Sequence, residues 1–457
     1  MRDLLPYVYV ASDDATDMQK AIASYNCDGT ADQVQIQSAI DSLPASGGAV
    51  ILSQGTFYKN NAAAITLNSN VQILMQPNTI IELTANPGND PLIFSATTKT
   101  NILIRGGILD GKKALQTTIT GTDAMGINFS AVTNSWIDQV TVKDMGTSVA
   151  LSGRGIYLAT STGNRITNCT LTGNKRQNLV LYDNSNYNIV SSNYASGSDD
   201  RNYVCHTASY NIFANNISHT STGQGFQLTI TSVRNIITGN HVYNATLAGI
   251  ETTTDSPDNL IVGNVCQDNL QHGIYLRGTR CSAVGNFCLD NGGAGIAIES
   301  TGTYNLVEGN YLVNNGGLVA GAEQGIFCYG DYNSLVGNHF SHGTDQDYGI
   351  RFVAGGDNNF ATSNDLRDAG VTAAILNGGT GNLIQCNLGW ITESQGKSTG
   401  TGAQQTIAHG LSATPTYVFL TDEDALAVPY QSAAANATNI YITALNTKKY
   451  QWHALVR

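Results

Sequence analysis

Glu251, His272, Tyr275, Arg277 and Glu299 are the side chains of this sequence best suited to chemistry on a sugar. Two carboxylates can divide the acid and base work of breaking a glycosidic bond. A carboxylate or His beside an Arg can instead remove the proton next to a uronate carboxylate. Asp199, Asp200 and His206 form a second candidate set. The candidate catalytic residues are therefore Glu251, His272, Arg277, Glu299, Asp199, Asp200 and His206. Tyr275, Gln227, Tyr182, Phe327, Tyr329 and Arg351 are the candidates for binding substrate, by stacking on sugar rings or by hydrogen bonding. A structural reading competes for both sets. Arg277 with Glu299 and Glu251 makes an ion-pair ladder, and Asp199-Asp200-Arg201 makes a charged loop tip.

Residues so far apart in sequence meet only if the chain repeats, and it does. Gly-Ile-x-Leu recurs in variants at Gly155-Ile156-Tyr157-Leu158, Gly225-Phe226-Gln227-Leu228, Gly249-Ile250-Glu251-Thr252, Gly273-Ile274-Tyr275-Leu276 and Gly295-Ile296-Ala297-Ile298. An Asn column runs Asn168, Asn193, Asn216, Asn240, Asn264, Asn286, Asn310, Asn338, Asn364 and Asn387. A period of about 23 residues, with three short strands per period, is one rung of a parallel β-helix. In that fold the Asn residues tolerate left-handed turns and stack their amides from rung to rung. The inward columns are then Ile156, Leu179, Phe226, Ile250, Ile274, Ile296, Ile326, Ile350 and, two residues on, Leu158, Leu181, Cys205, Leu228, Leu276, Ile298, Cys328, Phe352. The outward columns place Glu251, His272, Tyr275, Arg277 and Glu299 on one patch over three consecutive rungs.

Composition agrees. Asp, Glu, Lys and Arg make up only 12% of 457 residues, while Gly supplies 48 and Asn 46, which disfavours helical bundles. The net charge of −12, with no basic run longer than two, argues against nucleic acid as a partner. No apolar stretch is long enough for a membrane-spanning helix. Eight cysteines without a C-x-x-C pair read as small buried thiols, and no metal or other cofactor is expected.

The segment from Asp32 to Leu43, with Asp32 as its cap and Val34, Ile36, Ala39, Ile40 and Leu43 as its apolar face, covers the first rung. Asp28-Gly29-Thr30-Ala31-Asp32, this helix, Gly47-Gly48-Ala49-Val50-Ile51-Leu52 and Gly55-Thr56-Phe57 resemble the start of pectate-lyase-like right-handed β-helices. That superfamily holds polysaccharide lyases, polygalacturonase-type hydrolases, uronate epimerases and bacteriophage tailspikes, and the resemblance covers roughly residues 25 to 392. The Asp199-Asp200 pair resembles the hydrolases, but their Asn-x-Asp, Gly-His-Gly and Arg-Ile-Lys elements do not stand here in matching order. The stretch from Gln405 to Val418 resembles a segment near the C-termini of phage tail-fibre and other virion appendage proteins.

The expected protein is all-β, a right-handed single-stranded parallel β-helix of about 22–24 residues per rung. It is divided into an N-terminal arm (1–24), capping helix and first rungs (25–125), regular coil (126–393), flexible linker (394–402) and a small β-sandwich-like domain (403–457), in which His409 is a turn residue. Without an export signal at Met1-Arg2-Asp3-Leu4-Leu5, the leading functional expectation is a virion tailspike or tail fibre. It would be a homotrimer that binds, and in its catalytic form depolymerises, a cell-surface polysaccharide, attached to other tail proteins through the arm. The alternatives are a free extracellular lyase, glycoside hydrolase or uronate epimerase, and a surface or adhesion protein without catalysis.

Overall fold

A rung that cannot bury its own apolar residues is stable only between neighbours, so the fold follows from stacking. The computed structural model describes residues 6–117, 124–147, 153–317, 324–424 and 428–456; residues 1–5, the start of the expected arm, lie outside these. Three parallel sheets, of sixteen, twelve and thirteen strands among the described residues, wind through about thirteen turns. One turn consists of Arg154–Ala159, Arg165–Thr167 and Thr170–Thr172, paired in register with Gln177–Tyr182, Ile189–Ser191 and Tyr194–Ser198. Both inward columns lie in one continuous core, none of their residues more than 2% exposed. Tyr203 completes the first column between Leu179 and Phe226. It is fully buried and stacked on Phe226, with its hydroxyl donating to the Asn193 carbonyl at 3.1 Å.

The Asn column is an amide ladder. Asn240 Oδ1 accepts the Asn216 backbone N–H at 2.8 Å and its Nδ2 at 3.0 Å, while Asn240 Nδ2 donates to the Phe213 carbonyl at 3.0 Å and to Asn264 Oδ1 at 2.9 Å. Two details differ from expectation. Asn168 is one residue out of register, and Cys169 holds the ladder position, its N–H donating to Asn193 Oδ1. The left-handed residue precedes the ladder Asn, at Ser192, Asn215, Gly239, Gly263, Gly285, Gly309 and Gly337, because the Asn must keep its amide turned inward. A second ladder, not read from the sequence, runs Asn164, Asn188, Asn211, Asn235 and Asn259, is interrupted by Cys281, and resumes at Asn305, Asn333, Asn359 and Asn382.

At the N-terminal end, Gln33–Asp41 is the covering helix, with Ile36, Ala39 and Ile40 in the core. Val34 is 55% exposed, and Asp32 makes no side-chain cap. Its carboxylate instead accepts from the backbone N–H groups of Gly29 and Tyr58, tying loop to coil. Tyr7–Ala11, within the expected arm, pairs in parallel with Gly48–Leu52 and so belongs to the coil.

At the other end, two three-stranded antiparallel sheets enclose a separate core of Leu411, Ile440, Ile442, Ala444, Tyr450, Trp452 and Ala454. The expected linker is instead a strand, Glu393–Thr399, paired with Lys449–Leu455. It reads as polar because its inward positions are Ser394, Gly396 and Ser398, with Gly396 making room for the Trp452 indole. His409 is a buried turn residue that bridges Asn436 and Leu411.

Candidate functional site: a groove along one wall

Outward residues on the wall that includes Arg154–Ala159 align rung by rung. Tyr157, Val180, Val204, Gln227, Glu251, Tyr275, Ala297, Phe327 and Arg351 are successive partners in register. Val180, Val204, Gln227, Glu251 and Ala297 point outward yet are less than a tenth exposed, so this column is a sheltered floor. Arg154, Gln177, Arg201, Gln224 and His272 stand on one bank. Tyr182, His206, Arg277, Glu299 and Tyr329 stand on the other. Nine rungs at strand spacing give a groove roughly 38 Å long.

The first end is cationic and aromatic. Arg154, Tyr157, Arg176, Gln177, Val180, Tyr182, Val204 and His206 line a cleft of about 310 Å³. The Arg154 guanidinium lies 4.9 Å from the Tyr157 ring centre, and the Tyr182 and His206 rings stack at 4.6 Å. No carboxylate among the described residues pairs with Arg176. Burial, with help from the Arg176 and Arg201 cations, holds the His206 pKa below its usual value. His206 is thus in the groove, while Asp199 and Asp200 are engaged elsewhere. Asp199 pairs with Lys175 at 2.6 Å, and Asp200 accepts from Arg201 at 2.9 Å and Gln177 at 3.1 Å.

The middle holds the five residues first singled out, and the fold does bring them together. Glu251, 3% exposed, accepts from Gln224, from Gln227 at 3.0 Å and from Arg277 at 3.2 Å. Glu299 accepts from the Tyr275 hydroxyl and from the Ser300 N–H at 3.0 Å. Burial alone would raise the Glu299 pKa, but these donors bring it below the usual carboxylate value. Tyr275 is pushed up, by burial and then by Glu299. His272 Nδ1 accepts the Ala294 N–H at 3.0 Å, and burial lowers its pKa to about 4. At the far end the Arg351 guanidinium lies 6.0 Å from the Phe327 ring centre, beside a Tyr329 that is 40% exposed.

General acid–base catalysis works best with a group titrating near the operating pH. In the middle of the groove the shifts run the other way: Glu299 stays ionised, while His272 and Tyr275 stay neutral around pH 7. Glu251 already has three donors. The arrangement suits holding a ligand better than exchanging protons with it. Sequence reasoning omitted Arg154, Tyr157 and Arg176 from the site. Arg176 belongs to no outward column, and its only signal was the Lys175-Arg176 pair just before a strand.

Fold and groove together define a parallel β-helix with a sheltered groove along one wall. Residues 116–321 and, in an overlapping match, 252–394 fit the family described as periplasmic copper-binding protein (NosD), together more than half of the chain, and the chain belongs to that family. No curated protein sequence matches it. Among solved structures it is similar to the A-module of mannuronan C-5 epimerase AlgE4 from Azotobacter vinelandii, at 18% identity and TM-score 0.60, over 78% of this chain and 97% of that one. It is similar to the Dettilon tailspike at 18% identity and TM-score 0.59, over 98% of this chain and 94% of that one. It is also similar to the pre-mature gene product 12 of bacteriophage phi29, at 15% identity and TM-score 0.63, over 80% of this chain and 55% of that one. At these identities the likeness is one of fold.

The family's description raises the question of copper, and the donor set here does not fit it. Among the described residues no three His, Cys, Asp or Glu side chains come together. His219 and His241 each pack against the Tyr243 ring, at 4.4 and 4.6 Å, rather than converging on one point. Cys266 and Cys288 are neighbours in register but fully buried, and burial keeps Cys288 a thiol. A copper site needs thiolate, imidazole or thioether donors aimed at one ion.

Proposed function

We propose that this protein is a receptor-binding component of the tailspike or tail-fibre type, holding a carboxylate-bearing cell-surface polysaccharide lengthwise in the groove. The observation that carries the reading is the cleft in which Arg154 and Arg176 stand beside Tyr157, Tyr182 and His206. Guanidinium groups grip carboxylates, and aromatic faces accept the apolar faces of sugar rings. The middle of the groove adds the Gln224, Gln227 and Arg277 amide and guanidinium edges. Its titrating groups are tuned away from neutrality, which favours binding over cleavage. The tailspike likeness supports the biological setting, since it extends over 98% of the chain and so reaches the C-terminal sheets. In this reading the protein is a homotrimer on a virion tail, joined to other tail proteins through its N-terminal residues.

Affinity electrophoresis of the full chain against alginate, polygalacturonate and dextran tests the proposal. An acidic polymer should retard the protein, the effect should fade as salt is raised, and Arg176→Ala should weaken it by about tenfold. Retardation by dextran alone, or none by any acidic polymer, would overturn the reading. Release of reducing ends or unsaturated sugars would restore a lyase or hydrolase, and conversion of mannuronate without chain cleavage would restore an epimerase. Native mass measurement reads the trimer.

A further inference from the structure

The groove takes one wall of the coil, and the other two walls carry almost no charge. In the twelve-stranded wall, the eight strands from Thr170–Thr172 to His339–Ser341 contain no Asp, Glu, Lys or Arg. In the sixteen-stranded wall, the nine strands from Ile189–Ser191 to Leu383–Gln385 contain one, Glu308. Outward positions there are apolar instead. Ile189, Ile212, Ile236 and Leu260 are successive half-buried partners on the sixteen-stranded wall. Val265, Phe287 and Tyr311 follow one another on the twelve-stranded wall, with Phe287 37% and Tyr311 50% exposed. Apolar area of this extent marks a contact surface. Eight rungs of three residues make each wall about 38 Å long and 10 Å wide, so the two together offer about 760 Å² of flat face. A stable interface takes about 800 Å² from each partner.

The edges of the two walls point to what covers them. Where the walls meet, the corner is bare: at Gly263, Gly285, Gly309 and Gly337 even a Cβ would meet no atom within 4 Å. The far edge of the sixteen-stranded wall carries Arg234, Asp258 and Arg280 on three consecutive rungs. Arg280 pairs with Asp258 at 2.7 Å, while Arg234 donates to the Tyr210 hydroxyl at 2.6 Å and has no carboxylate partner among the described residues. This edge has a surplus cation. The far edge of the twelve-stranded wall carries Asp268 and Asp290, both exposed. They accept from Gln267 at 3.0 Å and Asn314 at 2.7 Å, and neither has a cationic partner among the described residues. Copies set parallel about one axis, bare corners inward, press the sixteen-stranded wall of each against the twelve-stranded wall of the next. The same placement brings the cationic edge of one copy onto the anionic edge of its neighbour.

We infer that the two uncharged walls are the surface on which second and third copies of this chain dock, unlike wall to unlike wall, in a ring closed about the bare corners. Such head-to-tail contacts close into a ring without using up the third wall. Each chain has a net charge of −12, and walls free of ions let copies meet without burying an unpaired charge. The complementary edges then fix which wall meets which. The inference rests on the trimer of the proposed function and says which residues build it. It does not depend on what the groove binds, because the groove lies on the wall left facing outward.

Native mass spectrometry and light scattering on the full chain at about 5 µM test it. The unaltered chain should be a trimer. Leu260→Lys on one wall and Phe287→Lys on the other should each weaken association at least about a hundredfold, since each recurs in all three contacts. Both side chains point outward, so circular dichroism should keep the signature of the coil. Arg234→Glu and Asp268→Arg should each weaken association about tenfold, and the double variant should recover to within about threefold of the unaltered chain. The two residues stand on opposite edges of the groove wall, so one can compensate the other only between copies. A trimer that both lysine variants leave intact overturns this interface while the trimer itself stands. Loss of assembly in the lysine variants with no recovery in the double variant overturns the pairing of unlike walls. A dimer overturns the closed ring of three, and a monomer overturns the trimer and this inference together.

Discussion

Replacing Asn240 by Ala should open the coil locally, at a cost set by the groups it orphans. Asn240 Oδ1 accepts the Asn216 backbone N–H at 2.8 Å, in a position that is fully buried. Asn216 Nδ2 would keep its bond to the Val190 carbonyl at 2.9 Å, and Asn264 Oδ1 would keep the Asn240 backbone N–H at 2.9 Å. The loss is therefore one stranded backbone donor, about 1–3 kcal/mol, plus two or three ordinary hydrogen bonds at about 1 kcal/mol each. Relaxation and a trapped water would recover part of this, leaving about 3 kcal/mol. Hydrogen exchange read by mass spectrometry on peptides covering residues 211–220 should then show the Asn216 amide exchanging about 150-fold faster, while rungs several turns away change little. The complementary variant repairs a ladder. Cys281 interrupts the second one, its Sγ 3.6 Å from the Ser256 carbonyl that an Asn amide would reach, and its N–H already bonds Asn305. Cys281→Asn should slow exchange nearby by about tenfold, or about 1.4 kcal/mol. If Asn240→Ala accelerates exchange less than about fivefold, the ladder is decoration and rung stability rests on apolar stacking alone.

Three further outcomes follow from buried charge and backbone strain. Lys59 is fully buried with no carboxylate partner among the described residues, and burial lowers its pKa to about 8. Its folded pKa lies below the unfolded value, so the penalty is fully present below pH 8 and is relieved as pH rises through about 8 to 10.5. Lys59→Met should raise stability at pH 7 by about 2–3 kcal/mol and abolish that rise, read by denaturant unfolding at pH 7 and 10. His272, held neutral down to about pH 4, contributes stability that is lost as pH falls from about 6.5 toward 4; His272→Gln should flatten the unfolding midpoint across that window. Tyr304 is left-handed and stacks on Tyr332 at 5.2 Å. Tyr304→Gly exchanges relief of strain for loss of stacking and should change stability by less than about 1 kcal/mol, whereas Tyr304→Val keeps the strain, loses the stack and should cost about 2 kcal/mol.

Periodicity alone determined the coil, its rung length, both inward columns and the register of the outward ones, because stacking forces one residue type to recur at each rung position. The Gly-Ile-x-Leu starts therefore predicted that Glu251, Tyr275 and their neighbours would share a patch. The sequence could not say which outward residues would be sheltered. Val180, Val204 and Glu251 have no local feature marking them as a groove floor; the banks on either side decide that. It could not show that Asp199 and Asp200 would be taken up by Lys175 and Arg201, or that Arg176, outside every column, would face the cleft. The second Asn ladder was missed because Cys281 breaks it and because its members alternate in sequence with those of the first. Asn168 was placed one residue off since a left-handed Asn and a ladder Asn look alike until hydrogen bonds are drawn. The strand Glu393–Thr399 read as a linker because its inward face is Ser and Gly, a choice explained only by the Trp452 indole across from it. A repeat fixes which residues stack, since that depends on spacing along the chain; which of them meet solvent, a partner charge or a ligand depends on side chains brought together from different turns, and only the folded coil decides that.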